Sequence, residues 1–350
     1  MDRIVNHHTG LRLFTEMLAI PSPSGREDRM IAFIADRLRN LGYAPEVDPI
    51  GNVLIRLEGR FTERPVCCIA AHVDEIGLVV TAIESDGALH VNRLGGTLPW
   101  KLGETPVEIL GDAGSILGVV SMGSGHSPME ASECPAWEGI RVLTGLSAKA
   151  VGDAGVRVGT PIVPARDARG PAVFGDSKDP WVAAWTFDNR LSVVCLLQVL
   201  EQLKTDDALP RSPTIVAFTV EEEVGGLGAK ALAMRERPDL FIAIDGSALV
   251  PECPVTLDGS PGIRSQDRAA VYDQDLLREI MTVSSDVGVD LQPVIYDRAA
   301  SDASLVYSIG ASPRVACLGY IRASSHGFEV APLVTFDKLR AVIESLLASL

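Results

Sequence analysis

The sequence predicts an α/β fold, a mixed sheet covered by helices on both faces, with an all-β unit inserted into it. Three observations predict this. Short apolar runs alternate with stretches of helical periodicity in residues 1–73 and again from 170 to 350. Between them, residues 74–169 carry recurrent glycine turns (SDGAL, LGGTL, LGDAGS, VGDAGVRVGTP), short β-rich runs and few helical patterns. The 350 residues are 47% apolar, which is enough to bury a sizeable core. The expected organisation is a discontinuous domain, 1–73 with 170–350, and an insertion spanning 74–169.

Taken in order, SGRE at 24–27 reads as a capping box, with Ser24 as the cap and Glu27 reaching back. Met30, Ile31, Phe33, Ile34, Leu38 and Leu41 follow at helical spacing, and Gly42 ends the helix. NVLIRLE and PVCCIAAH read as strands, the second ending at His72. After the insertion, a helix is expected from Asp188 to Leu203. Next come the strand PTIVAFTV, the helix GLGAKALAMRER, the strand LFIAID, a helix around DQDLLREIMTVSSDVG and the strand LQPVIY. The helix DASLVYSIG, the strand PRVACLGY and a closing helix over 335–350 complete the chain. Strands alternating with helices imply a sheet with parallel stretches.

The formal charge of −15 argues against nucleic acid and anionic membrane surfaces as partners, because both would be repelled. No apolar run approaches the roughly 20 residues that span a bilayer. Arg12 and Glu16 interrupt the apolar stretch that a signal peptide would need, so the expected location is cytoplasmic. The cysteines at 67, 68, 134, 195, 253 and 317 form no CxxC pair and read as free thiols, those within apolar runs being buried.

In open α/β sheets, ligands bind beyond the carboxyl ends of the strands. His72 and Asp74 follow one strand, Glu221, Glu222 and Glu223 follow another, and Asp245 ends a third. His326 lies in the loop after a fourth, and Asp188 opens a helix. Each alone has an ordinary explanation: a helix cap for Asp188, a hydrogen-bonded core histidine for His72, a turn acid for Asp245, a solvated edge for the glutamates, a plain loop residue for His326. As a set, two imidazoles and three carboxylates suit two zinc-like ions. A turn beginning at Val224-Gly225 would let neighbouring glutamates diverge toward one centre.

HVDEIG at 72–77, FDNR at 187–190, EEVGGLGA at 222–229, the aspartate of AIDGS at 245 and SHGFE at 325–329 occur in that order. Together they resemble the M42 metalloaminopeptidases, over essentially the whole chain. The resemblance implies a zinc-peptidase-like catalytic domain whose β-rich insertion is a dimerisation domain, and a homo-oligomeric particle of up to twelve subunits. It implies one metal held by His72, Asp188 and Asp245, and a second held by Asp188, Glu223 and His326, with Asp188 bridging. The ions would be zinc, with cobalt or manganese as alternatives. Two ions about 3.5–4 Å apart need a shared anion, and one carboxylate offers an oxygen to each. The implied reaction is hydrolysis of N-terminal peptide bonds of short peptides, with a hydroxide between the metals as nucleophile and Glu222 as general base. Asp74 would orient His72. Glu221 reads as a solvated neighbour, Asp302 as a cap for its helix, and Glu75 has no role that the sequence supplies.

Glu329 stands three residues after His326, where the family commonly has four, and IRASSHG differs from the usual aromatic and hydrophobic version. Residues 297–329 resemble a subgroup associated with a modified glutamine dipeptide osmoprotectant, so a modified dipeptide is a second substrate expectation. Two other readings compete: an M20-type metal-dependent deacylase or carboxypeptidase, and a catalytically silent oligomeric scaffold. The whole β-rich unit between His72 and Asp188 argues for M42 over M20.

Overall fold

A computed structural model describes residues 7–124, 126 and 135–350; Cys134 lies outside them. Its largest element is an eight-stranded mixed sheet in the order Glu46–Val47, Val53–Leu57, Thr214–Thr219, Cys67–His72, Leu240–Ile244, Arg314–Gly319, Gly262–Gln266, Gln292–Ile295. The four strands from Thr214–Thr219 to Arg314–Gly319 run parallel. Every residue of Cys67–His72, Thr214–Thr219 and Leu240–Ile244 is buried, so both faces of the sheet are covered, as the continuous apolar runs require. The long Phe187–Thr205 helix packs with Thr9–Leu18 and Val334–Ser349, while Leu227–Glu236 packs with Asp302–Ser308.

Six strands between Gly77 and Pro164 close into a barrel with its own apolar core, built on Leu78, Val80, Leu89, Val107, Ile109, Val142 and Ile162 among others. The glycine turns of this segment connect its short antiparallel strands. Closure leaves the barrel without a free edge. The five described cysteines are free and buried. Among the described residues no helix is long and apolar enough to cross a membrane.

Register carries the chemistry to one rim. His72 pairs with Thr219 across the parallel ladder. Ala70 pairs with Ala243, which sets Asp245 level with His72. Ile244 pairs with Leu318, so Asp245 lies beside Gly319. A Cβ on Gly319 would collide with the Asp245 carbonyl, and glycine is what permits that approach.

The capping box at 24–27 does not form. The helix begins at Asp28, and Glu27 at its cap position makes no capping bond. Ser24 Oγ instead donates to Asp74 Oδ2 at 2.6 Å, and Glu27 Oε1 accepts from the Glu221 amide at 3.2 Å. A tertiary carboxylate outcompetes the local amide for the serine hydroxyl.

Candidate metal centre and active site

Asp188 sits where the Asp179–Trp185 strand turns into a helix, and the turn is not helical there: Asp188 has ψ 104° and the preceding Thr186 has φ 64°. Its carboxylate points into the rim rather than at helix amides. His72 Nε2 lies 3.2 Å from Asp188 Oδ1 and 3.9 Å from Asp245 Oδ1. His326 Nε2 lies 3.6 Å from Asp188 Oδ2 and 3.7 Å from Glu223 Oε2. Each of the sets His72–Asp188–Asp245 and Asp188–Glu223–His326 has ligand atoms within 4.8 Å of one another. His72, Glu222 and Glu223 form a third such set. Asp188 belongs to the first two, with one oxygen toward each imidazole.

Asp74 organises this rim. Its Oδ1 accepts from the Glu222 amide at 2.9 Å, and its Oδ2 accepts from the Glu223 amide at 3.2 Å as well as from Ser24. His72 Nδ1 lies 3.2 Å from the Asp74 main-chain carbonyl and 3.4 Å from Oδ1, so the ring bond runs first to the backbone. Burial alone would raise the Asp74 carboxyl, but bonds from His72, Ser24 and the glutamate amide hold it below its ordinary range. The glutamate turn therefore starts earlier than Val224-Gly225. Glu221 takes a left-handed φ of 55°, and the Gly225 amide closes on the Glu222 carbonyl at 2.9 Å. Asp74, by binding consecutive amides, pulls the chain round at Glu222.

Burial pushes Glu222 well above the ordinary carboxylate range, and Asp245, Asp302 and Glu223 add to the effect against His72. Burial likewise lifts Glu223 to about 7, and the Glu223 charge lifts His326 to about 10. Buried acids packed this closely, with two imidazole Nε2 atoms aimed among them, form a donor set that fits divalent cations. N and O ligands in two triads sharing one carboxylate are the pattern for borderline-hard ions such as zinc.

A profile described as M42 glutamyl aminopeptidase matches residues 51–341. The chain belongs to that family. This M42 chain is thereby a hydrolase of the aminopeptidase type. It is 30% identical over 250 residues to a glutamyl aminopeptidase of Lactococcus lactis subsp. cremoris, covering 68% of this chain and 67% of that one. It is 28% identical over 238 residues to a lysyl aminopeptidase of Pyrococcus furiosus, covering 67% and 65%. The solved TET1 peptidase of Pyrococcus horikoshii, described as assembling into a tetrahedron or a large octahedral shell, superposes with a TM-score of 0.86 at 27% identity, over 98% of this chain and 100% of that one.

The M42 rim contains two arginines that the sequence did not single out. Arg322 donates to Asp188 Oδ2 and to Glu329 Oε1, the latter at 2.6 Å. Arg264 donates to Asp245 Oδ2 at 2.9 Å. Burial alone would raise the Asp188 carboxyl, but the Arg322 guanidinium, with His326 and His72, holds it well below the ordinary range. Glu329 accepts from the Asp188 amide at 2.9 Å and the His326 amide at 3.0 Å, which ties Asp188 and His326 together. Glu75 is fully buried and accepts from Arg169 and Arg190 at 3.0 Å each, from the Ser22 amide at 2.8 Å and from Trp185 Nε1 at 3.1 Å. Asp302 is not a cap. Ser301 caps that helix, and Asp302 is buried against the Thr219 hydroxyl at 2.6 Å, its carboxyl lifted by burial to about 7. The only sequence signal for Arg322 was its place in the atypical IRASSHG segment; Arg264 lies in an ordinary-looking strand and gave none.

A cavity of about 260 Å3 opens over Asp188, Glu222, Glu223, Asp245 and His326. Its lining also includes Arg268, Tyr296 and Arg298, the two arginines being exposed.

Proposed function

We propose that the chain is a two-metal aminopeptidase acting on short peptides. The observation that carries this reading is the sharing of Asp188 between two triads, each completed by an imidazole Nε2 facing that carboxylate. His72, Asp188 and Asp245 would hold one ion, and Asp188, Glu223 and His326 the other. When bound, such ions polarise the scissile carbonyl and make a water a competent nucleophile near neutral pH. Glu222 is outside both triads and takes the proton from the attacking water, then delivers it to the departing amine. Its raised affinity for a proton, a consequence of burial, suits both halves of that task. Asp74 fixes the His72 ring and the Glu222–Glu223 turn together. The arginine-bearing lining favours substrates with a carboxylate near the scissile bond.

The barrel provides the dimer contact in this reading. Val119 and Leu143 are cross-strand partners, Leu117 is two residues before Val119 on the same face, and all three are exposed. An outward apolar stripe on a closed barrel fits a second copy of itself.

The test compares Glu222→Gln with Glu223→Gln on aminoacyl p-nitroanilides, with bound metal measured in parallel. Glu222→Gln should keep two ions per chain and lose at least about 100-fold in turnover. Glu223→Gln should lose affinity for one ion. The reverse assignment, or a wild-type chain that cleaves only N-acetylated amino acids, would overturn the reading.

A further inference from the structure

The two imidazoles are presented to Asp188 in the same way, but their backs are held by different parts of the molecule. Behind His72, the Nδ1 atom faces Asp74, within the catalytic unit. Behind His326, the Nδ1 atom lies 3.3 Å from the main-chain carbonyl of Gly96, which belongs to the barrel segment leaving the Leu89–Leu94 strand. A carbonyl only accepts, so in the neutral ring, the form that binds a cation, Nδ1 carries the proton and Nε2 is the ligand atom toward Asp188 and Glu223.

The approach is close enough to exclude a side chain. A Cβ on Gly96 would overlap the His326 ring, at Nδ1 and at 2.6 Å from Cε1. Gly96 has no unusual φ that would call for glycine, so contact with the ring is the constraint. The neighbouring Gly95 does turn the chain at φ 71°, with Ile76 and Glu223 against it, and the Thr97 hydroxyl closes the loop on the Leu94 carbonyl at 3.2 Å. On its own strand side His326 is equally constrained. It has a left-handed φ of 58°, and its amide is held by Glu329.

We infer that Gly96 is a positioning residue for His326: the barrel supplies the acceptor that selects the ring's tautomer, and glycine is required there for the ring to reach Asp188 and Glu223. This rests on the two-metal reading. It adds that the second ion's site is completed by the inserted barrel, so the catalytic unit alone does not fully form it.

The test uses the full chain and cobalt alone as probe. Cobalt per chain is measured by elemental analysis, and affinity by titration followed in the visible spectrum, for wild type, Gly96→Ala, Gly114→Ala, His326→Ala and the Gly96→Ala/His326→Ala double variant. A Cβ on Gly114 meets nothing within 4 Å, so it controls for any barrel substitution. Gly96→Ala should retain one ion at wild-type affinity and weaken the second by about 10- to 100-fold, the usual effect of disturbing a ligand's outer partner. Gly114→Ala should match wild type. The double variant should bind cobalt as His326→Ala does, because without the ring the added methyl meets nothing essential. If His326→Ala loses one ion while Gly96→Ala keeps both at full affinity, this inference is overturned and the metal reading stands. A double variant clearly worse than His326→Ala also overturns it, since the methyl would then act through the barrel fold. If His326→Ala keeps both ions, the metal reading falls and takes this inference with it.

Discussion

Replacing Asp74 by asparagine tests how the rim is built, because the carboxylate accepts from three donors using both oxygens. An asparagine has one acceptor oxygen and one NH2 donor. If the NH2 takes the Oδ2 position, Ser24 can rotate its hydroxyl to accept, but the Glu223 amide loses its partner. If it takes the Oδ1 position, the Glu222 amide is orphaned and two donors confront each other at His72. Either choice leaves a part-buried N–H unpaired, at about 1–3 kcal/mol, and removes the charge from the remaining bonds. The expected loss of stability is about 2–4 kcal/mol, by urea unfolding of the chelated protein. Ser24→Ala, which removes one donor and orphans none of the amides, should cost about 1 kcal/mol. Turnover of Asp74→Asn should fall further than its stability implies, because Glu222 and His72 both shift. An Asp74→Asn protein within about 0.5 kcal/mol of wild type, or no worse than Ser24→Ala, would refute this reasoning.

Glu75→Gln should be among the most destabilising single changes, at about 3–5 kcal/mol, since it leaves Arg169 and Arg190 buried without their counter-charge; thermal unfolding measures it. Glu27 is lifted by burial from 4.5 to about 7, so its neutral form stabilises the fold fully below pH 4.5, and that contribution is lost as pH rises through 7. Glu27→Gln, which cannot ionise, should therefore gain stability over wild type at pH 8 and not at pH 4, by about 3 kcal/mol at most; equal differences at both pH values would contradict this. Arg298→Ala and Arg268→Ala should raise KM for peptides with a carboxylate beside the scissile bond and leave neutral substrates nearly unchanged, in steady-state assays with paired substrates.

Most of the sheet and its helices were legible because periodicity is local, although the Thr9–Leu18 helix and the Glu46–Val47 and Gly262–Gln266 strands were not read, and the β-rich character of the inserted segment was legible because short strands need turns. The candidate ligands stood out for a topological reason: His72, Glu223 and Asp245 follow buried strands at the end where such sheets bind. Apart from Asp74, expected behind His72, their supports were not legible. Ser24 has a perfect local capping pattern, yet its hydroxyl serves an aspartate 50 residues away. Asp302 looked like a cap because it precedes a helix, but Ser301 does that work and Asp302 faces Thr219. Arg264 and Gly96 act through contacts whose partners are distant in sequence, and nothing in their own neighbourhoods announces it.

The two guanidiniums on Asp188 and Asp245 have a further consequence. They place permanent positive charge, immune to pH and to chelators, among acids that would otherwise push one another apart. The pocket's architecture is thereby insured against demetallation: stripping the protein of its cations should empty a standing vessel, not collapse it, and reloading becomes simple refilling.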